Sequence, residues 1–273
     1  MAADPTTNTT QGPRRPTALV TGASAGIGRE FALQLAARGH DLVLVARDAA
    51  RLEALATELR RDHGIEVEVL PADLSDRAAL QKVADRLADA ARPVDLLVNN
   101  AGYGLRGRFL RNDIAVEEAA FDVLTRAVLV LSHAGAQGMV ERGHGAVVNV
   151  SSVAGYIASG PYSAAKSWVT VFTEGLSAEL SGTGVTATAL CPGFTNTEFQ
   201  QRAGIGKRGP EFIWLDAPAL VSACLADVAR GRVVSVPGWQ YKTAVGLLRV
   251  LPRPLIRRSL CPPGAAGRAR RRG

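Results

Sequence analysis

The 273-residue sequence predicts a single α/β domain built on a doubly wound parallel sheet. Short apolar runs alternate with segments whose apolar residues recur at helical spacing, which is typical of parallel strands joined by helices. A hydrophobic content of 47% at this length is enough for one substantial core, and no internal repeat divides the chain. The predicted strands are residues 17–20, 41–46, 65–70, 94–98, 145–150, 185–190 and 232–236.

The first predicted strand leads into a glycine-rich turn. Gly22, Gly26 and Gly28 follow the apolar run and precede a segment of helical periodicity. Glycines at such a position let the backbone approach a pyrophosphate, and the following helix offers free N–H groups to it. An ordinary glycine-rich turn is the other interpretation, but the strand before and the helix after favour a dinucleotide site.

The second predicted strand ends at Ala46, and Arg47 follows it. An acidic residue near this point usually binds the ribose 2′-hydroxyl of NAD, whereas an arginine accommodates the 2′-phosphate of NADP. Arg47 therefore favours NADP, and Ser24 in the glycine turn could add a hydrogen bond to the same phosphate. Asp48 is the counter-argument, although we expect it to cap the next helix. A surface arginine without a ligand is the other interpretation of Arg47.

A tyrosine and a lysine four residues apart form the candidate catalytic pair, Tyr162 and Lys166, ten residues after Ser152. Residues four apart share a helix face, and an ammonium beside a phenol lowers the pKa of the phenol from its usual ~10. The pair would thus supply an acid/base group at neutral pH. Ser151 is interpreted as a packing residue, and Tyr156, which has no lysine four residues on, as a pocket wall.

In order and spacing, these motifs resemble those of the short-chain dehydrogenase/reductase family, over about residues 16–238. The matching letters are TGASAGIG at 21–28, DL at 73–74, NNAG at 99–102, NVSS at 149–152, YSAAK at 162–166 and PGFTNT at 192–197. The resemblance implies a Rossmann-like fold with Ser152, Tyr162 and Lys166 as catalytic residues. The cofactor-binding residues that it implies are Gly22, Ser24, Gly26, Ile27, Gly28, Arg47, Asp73, Leu74, Asn99, Ala101, Gly102, Tyr162, Lys166, Pro192, Gly193 and Thr197.

The resemblance also implies how some of these residues meet an NADP cofactor. Asp73 and Leu74 would contact the adenine, Asn99 and Gly102 would shape the floor of the site, and Thr197 would reach the nicotinamide carboxamide.

The expected reaction is the reduction of a lipophilic ketone or aldehyde to an alcohol by hydride transfer from NADPH. Tyr162 would donate the proton, Ser152 would hold the oxygen, and Lys166 would tune the tyrosine and bind the nicotinamide ribose. Two alternatives remain open, namely an alcohol-oxidising dehydrogenase of the same family and a catalytically weak dinucleotide-binding regulatory protein.

One departure from the family pattern concerns the proton relay. Many members carry an asparagine in the helix before the catalytic strand, where this sequence has Leu124 or Thr125, and no asparagine lies between Asn112 and Asn149. The relay is therefore either carried by backbone, water and Thr125, or it is weakened.

The chain ends differ in composition from the centre. Residues 1–15 are expected to be a disordered tail, residues 16–238 the Rossmann-type catalytic domain, residues 239–263 an apolar and basic extension, and residues 264–273 a basic, disordered tail. The net charge of +7 is concentrated at the arginine-rich end. That end could bind nucleic acid or an anionic membrane, but we favour a solvated tail and expect no nucleic-acid partner. The extension could lie on a membrane surface, cover the substrate cleft or form a subunit contact.

The remaining expectations concern partners and location. Three cysteines without paired spacing argue against a disulfide framework and favour a reducing cytoplasm, and no metal site is predicted because no cluster has metal-ligand spacing. The helix after Lys166 and helix 123–140, which contains the small residues Gly135 and Gly138, would form a homodimer or homotetramer interface, as they often do in the family. Residues 198–214 correspond to the family's variable substrate lid.

Overall fold

Seven parallel strands form one sheet in the part of the chain that the computed structural model describes, residues 14–105, 109–198 and 210–260. The order in the sheet is β3-β2-β1-β4-β5-β6-β7. Because β1 lies between β2 and β4, the winding of the chain reverses there, and ligands of such sheets bind beyond the carboxyl ends of the strands at this reversal. The strands are β1 Thr17–Thr21, β2 Asp41–Ala46, β3 Val67–Pro71, β4 Leu96–Asn99, β5 Gly145–Val150, β6 Val185–Leu190 and β7 Val234–Ser235.

Helices cover both faces of this sheet, which confirms the predicted single Rossmann-like α/β domain. Asp48 caps the second helix by accepting a hydrogen bond from the Arg51 backbone N–H at 3.0 Å, as predicted. A π-helical turn, Asp122–Arg126, joins the fourth and fifth helices. The helices are α1 Gly26–Ala36, α2 Ala49–His63, α3 Arg77–Ala88, α4 Ile114–Phe121, α5 Ala127–Arg142, α6 Gly160–Glu179, α7 Ala217–Ala229, α8 Trp239–Val250 and α9 Arg253–Leu260.

The alternation of side chains along each strand divides the core into two layers. Val20 and Leu44 point to the layer under α1, α2 and α7, whereas Leu19 and Val43 point to the layer under α3, α5 and α6. All four are essentially inaccessible to solvent. This double burial explains why the strands appear in the sequence as continuous apolar runs and not as alternating ones.

Three predicted strand starts lie too early. Ile65 and Val94 are buried, but they precede β3 and β4, and Val233 precedes β7. An apolar side chain can fill the core from a connecting loop, so burial alone does not mark the first paired residue.

Arg14 and Arg15, which the sequence analysis assigned to the N-terminal tail, are bonded to the domain. The Arg14 guanidinium donates to both carboxylate oxygens of Asp95 at 2.8 and 2.9 Å, and Arg15 donates to the Gly64 carbonyl at 2.6 Å. Residues 1–13 of the predicted tail and the basic segment 264–273 lie outside the described residues. No helix in the described part of the chain is long and apolar enough to span a bilayer.

Candidate active site

A cavity of about 960 Å³ opens beyond the carboxyl ends of β1, β2, β4, β5 and β6. That volume is near the upper end of the range for small-molecule sites, ~1,000 Å³. Most residues that the sequence predicts as functional line it, including Ser152, Tyr162 and Lys166. Two predicted residues, Gly28 and Asn99, are not among the lining residues and have other roles.

The glycine turn provides the surface on which a phosphate could rest. Gly22 and Gly26 have φ angles of 66° and 56°, which side chains with a Cβ atom rarely adopt. α1 begins after Ala25 without a side-chain cap, so the first N–H groups of this helix face the cavity end of the domain. Gly28 permits close packing, because a Cβ there would lie 2.3 Å from the Gly22 carbonyl oxygen. The turn therefore fits the pyrophosphate of a dinucleotide.

Asn100, which sequence analysis missed, holds this turn in place. Its side-chain amide donates to the Thr21 carbonyl at 2.9 Å, and its backbone N–H donates to the Thr21 hydroxyl at 2.9 Å. Asn99, which was predicted to shape the floor of the cavity, does not line it. The Asn99 amide instead donates to Asn149 at 2.9 Å and to Ser132 at 3.1 Å within the core. Asn99 is the last residue of β4 and points into a core layer, whereas Asn100 follows the strand and reaches the cavity.

Two arginines stand beside the cavity at the end of β2. Arg47 and Arg51 both line it together with Ser24, and Arg47 lies 3.9 Å from Asp73. Burial opposes ionisation of Asp73, but hydrogen bonds from Ser75 and the charge of Arg47 together lower the pKa of its carboxyl. Arg51 was not predicted, although its position in the first turn of the helix that follows Arg47 was visible in the sequence.

The three predicted catalytic side chains converge at the cavity floor. The Tyr162 hydroxyl is hydrogen-bonded to Ser152. The Lys166 ammonium lies 5.9 Å from the centre of the Tyr162 ring and donates to the Val150 carbonyl at 2.7 Å. Ser151 is buried and hydrogen-bonded to the Lys166 carbonyl at 2.7 Å, so it joins β5 to α6 and has the packing role predicted for it.

Burial, and not the lysine charge, governs the protonation of the tyrosine. Tyr162 is half-buried and lines the cavity, and burial raises the pKa of its hydroxyl to about 12 despite the hydrogen bond from Ser152. Burial also lowers the pKa of Lys166 to about 8. The expectation that the pKa of Tyr162 falls below its usual value is therefore wrong, because burial raises it. At neutral pH the tyrosine holds its proton and the lysine is mostly charged.

Where the family's relay asparagine was expected, the side chain near Lys166 is the apolar one of Leu124. The Leu124 side chain packs 3.0 Å from where a Cβ on Gly102 would stand, and the Lys166 ammonium lies 3.7 Å from the same point. Thr125 is no substitute in this conformation, because its hydroxyl donates to the Phe121 carbonyl at 2.5 Å within the helix. Neither side chain presents a free polar group to Lys166.

The C-terminal extension was expected to lie on a membrane surface, to cover the substrate cleft or to form a subunit contact. Its helix α8 forms one wall of the cavity and so covers the cleft. Tyr241, Ala244, Val245 and Leu248, on one face of α8, line the cavity. The Tyr241 hydroxyl donates to the Ile213 carbonyl at 2.6 Å and accepts from the Phe194 backbone N–H at 2.9 Å.

Two residues near this wall differ from expectation. Gly193 lies so close under the Tyr241 ring that a Cβ would come within 2.0 Å of it, so this glycine also serves packing. Tyr156 is not among the cavity-lining residues, contrary to the prediction. Its hydroxyl accepts a hydrogen bond from Arg249 at 3.1 Å and so ties α8 to the loop after β5.

A sequence model of the short chain dehydrogenase family matches residues 16–207. The chain belongs to this family. Members of this family act on small-molecule substrates with a nicotinamide dinucleotide, so the protein is an NAD(P)-dependent oxidoreductase.

Three relatives align with most of the chain. Sulfoacetaldehyde reductase 2 of Chromohalobacter salexigens is 36% identical over 216 residues, which are 77% of this chain and 85% of the relative. The structure of a short-chain dehydrogenase from Sphingobium yanoikuyae in complex with NADPH is 38% identical, with a TM-score of 0.78 over 87% of this chain and 97% of that one. A bulky-bulky ketone specific alcohol dehydrogenase from Comamonas testosteroni is 31% identical, with a TM-score of 0.75 over 88% and 96% of the two chains.

Proposed function

We propose that this dehydrogenase reduces the carbonyl group of a lipophilic ketone or aldehyde, with NADPH as hydride donor and Tyr162 as proton donor. The observation that carries the proposal is that Tyr162, whose hydroxyl is hydrogen-bonded to Ser152, lines a large cavity. Its pKa of about 12 keeps the proton on the phenol at neutral pH, which is the form that reduction requires.

Each catalytic side chain has a task that follows from its surroundings. The bound cofactor supplies a hydride to the carbonyl carbon. As negative charge develops on the carbonyl oxygen, Tyr162 donates its proton to it, and the Ser152 hydroxyl donates a hydrogen bond to the same oxygen. Lys166 brings a positive charge near the tyrosine, which stabilises the phenolate after the proton has left.

The preference for NADP rests on charge. Arg47 and Arg51 give the cavity two cations beyond the end of β2, where a 2′-phosphate would lie, and Ser24 adds a hydroxyl. The cap formed by Asp48 commits that carboxylate to the backbone of α2, which leaves it a poor partner for a ribose hydroxyl. The relative from Sphingobium yanoikuyae, solved with NADPH, supports the same choice.

The lipophilic substrate is inferred from apolar side chains that line the cavity. Val153, Ile157, Val245 and Leu248 contribute apolar side chains to the cavity. The ketone-specific relative from Comamonas testosteroni supports a bulky carbonyl compound. Most of the predicted lid, residues 199–209, lies outside the described residues.

A homodimer or homotetramer is proposed on the basis of α5 and α6. Leu129 and Val140 on α5 and Trp168 and Val171 on α6 are exposed apolar side chains, which a second copy could cover. Gly135, one of the small residues considered for that contact, packs instead against Leu97 within the chain. Light scattering coupled to size-exclusion chromatography of the wild type measures the oligomeric state, and a monomer would contradict this proposal.

The test of the proposed function is an assay of NADPH consumption with a graded series of carbonyl compounds, from short aldehydes to ketones with two bulky substituents. We expect turnover that rises with substrate size and exceeds the turnover with NADH. Faster oxidation of the matching alcohols by NAD than reduction by NADPH would favour the alcohol-oxidising alternative. Tight NADPH binding without turnover of any compound would favour the regulatory alternative, which the apolar Leu124 beside Lys166 supports.

A further inference from the structure

The charge of the chain is divided sharply along its length. All 25 acidic residues precede residue 228, whereas residues 228–273 hold eleven of the 32 Lys and Arg and no Asp or Glu. In the described part of this segment, Lys242, Arg253 and Arg257 are exposed and form no ion pair with another described residue. Their positive charge is therefore available to a partner.

Exposed apolar side chains lie in the same two helices as these cations. On α8, Trp239, Leu247 and Val250 are 74%, 58% and 76% exposed, and on α9 Leu255 is 51% exposed. Because an α-helix has 3.6 residues per turn, Trp239, Leu247 and Val250 fall on one side of α8. The cavity-lining residues fall on the opposite side, so α8 carries apolar side chains on both faces, and those on the outer face are exposed.

We propose that this C-terminal surface, formed by the outer face of α8 together with α9, binds an anionic phospholipid bilayer. Helices that lie at a membrane interface combine exposed Trp and Leu with Lys and Arg. Each basic residue near an anionic leaflet adds attraction, and the excess of cations here is not offset by any acidic neighbour within the segment. Binding of this kind does not require a spanning helix.

Two other occupants fit the same surface less well. A second copy of this chain in a two-fold arrangement would bring the same cations face to face, which is unfavourable. A nucleic acid would engage the arginines but would leave the exposed Trp239, Leu247 and Val250 without a role.

One consequence of the proposal rests on the proposed function. Because α8 is both the membrane contact and a wall of the cavity, a lipophilic carbonyl compound dissolved in the bilayer would lie close to the active site. The binding itself does not depend on the reaction, so the two ideas are tested separately.

The experiment is cosedimentation of the full-length protein with sucrose-loaded vesicles of phosphatidylcholine alone and of phosphatidylcholine mixed with phosphatidylglycerol. We expect binding to the mixed vesicles that weakens as salt is raised. The double variant Arg253→Glu/Arg257→Glu should reduce partitioning at least ~10-fold, from the contribution of each cation near an anionic surface. Trp239→Ser/Leu247→Ser should reduce it by a similar factor because apolar insertion is lost.

Two matched control variants test whether a change in net charge or in exposed apolar surface elsewhere on the domain has the same effect on vesicle binding. Arg38→Glu/Arg61→Glu makes the same change in net charge on the far side of the domain, and Val116→Ser removes an exposed apolar side chain from α4. Both should bind vesicles like the wild type, and thermal denaturation checks that every variant is folded.

Equal binding to neutral and to mixed vesicles, or an equal effect of the control variants, would overturn the proposal. So would a Trp239→Ser/Leu247→Ser protein that dissociates an oligomer but still binds vesicles. Turnover of a water-soluble substrate by the same C-terminal variants tests the proposed function separately from vesicle binding.

Discussion

Replacement of Arg47 by aspartate should change the choice between NADPH and NADH. The Arg47 side chain is 72% exposed, so its interaction with a phosphate group is taken in the water-like limit, about 1 kcal/mol per pair of unit charges at ~4 Å. A phosphate with nearly two negative charges thus gains about 2 kcal/mol from the arginine and loses a similar amount to an aspartate. The affinity for NADPH should fall at least ~100-fold, whereas the affinity for NADH, which lacks this phosphate, should change less than ~3-fold.

The assay is a fluorescence titration of each purified variant with NADPH and, in parallel, with NADH. Arg51→Ala should weaken NADPH binding in the same selective way, because Arg51 lines the cavity beside Arg47. Arg61→Asp is the matched control, since Arg61 is an exposed arginine of α2 that does not line the cavity. An equal loss of both cofactors on Arg47→Asp, or tighter binding of NADH by the wild type, would refute the assignment of this corner of the cavity to a 2′-phosphate.

Three further predictions concern packing, pH and the hydrogen bond at the phenol. Gly193→Ala should destabilise the fold by roughly 1–3 kcal/mol and raise KM, because the new Cβ collides with the anchored Tyr241 ring. Thermal denaturation and kinetics check this against the wild type, and an unchanged melting temperature would contradict it. In the folded protein the buried Lys166 has a pKa of about 8, below its usual ~10.4. Between these two pH values the unfolded chain binds more protons than the folded one. The free energy of unfolding should therefore rise by about 3 kcal/mol as the pH increases from about 8 to about 10.4. Lys166→Met should lack this rise in urea titrations at several pH values, and a persisting rise would place its origin elsewhere. Ser152→Ala should lower kcat at least ~10-fold with cofactor affinity unchanged, because a donor to the developing oxyanion is lost; an unchanged kcat in steady-state assays would remove this serine from the mechanism.

The presence of a parallel sheet and the pairing of Tyr162 with Lys166 were predictable, because both depend on local patterns in the sequence. Tyr162 and Lys166 are one helical turn apart, so any helix at this point brings them to one face. The glycine turn follows β1 directly, and the sheet topology then places it at the reversal of the winding. The helical spacing and the position of the turn after a strand need no knowledge of distant contacts, whereas the order of the strands in the sheet does.

Other features depend on contacts that the sequence does not encode locally. The choice between Asn99 and Asn100 depends on where β4 ends, because one residue decides whether a side chain enters the core or the cavity. The pKa of Tyr162 depends on how deeply its hydroxyl is enclosed, which is a property of the assembled site. The apolar face of α8 is visible in the spacing of Tyr241, Val245 and Leu248, but the sequence does not say that the face closes the cavity.

The central claim of this account is that Tyr162 donates the proton in carbonyl reduction. The most direct measurement is single-turnover reduction of a ketone by NADPH-loaded wild type, Tyr162→Phe and Tyr156→Phe. Tyr156 is the matched control because burial raises the pKa of its hydroxyl to about 12 as well, yet it has no lysine partner and does not line the cavity. We predict that Tyr162→Phe lowers the rate at least ~100-fold and leaves NADPH affinity within ~3-fold of wild type, while Tyr156→Phe stays close to the wild-type rate. A Tyr162→Phe protein that reduces the ketone at the wild-type rate would contradict the claim.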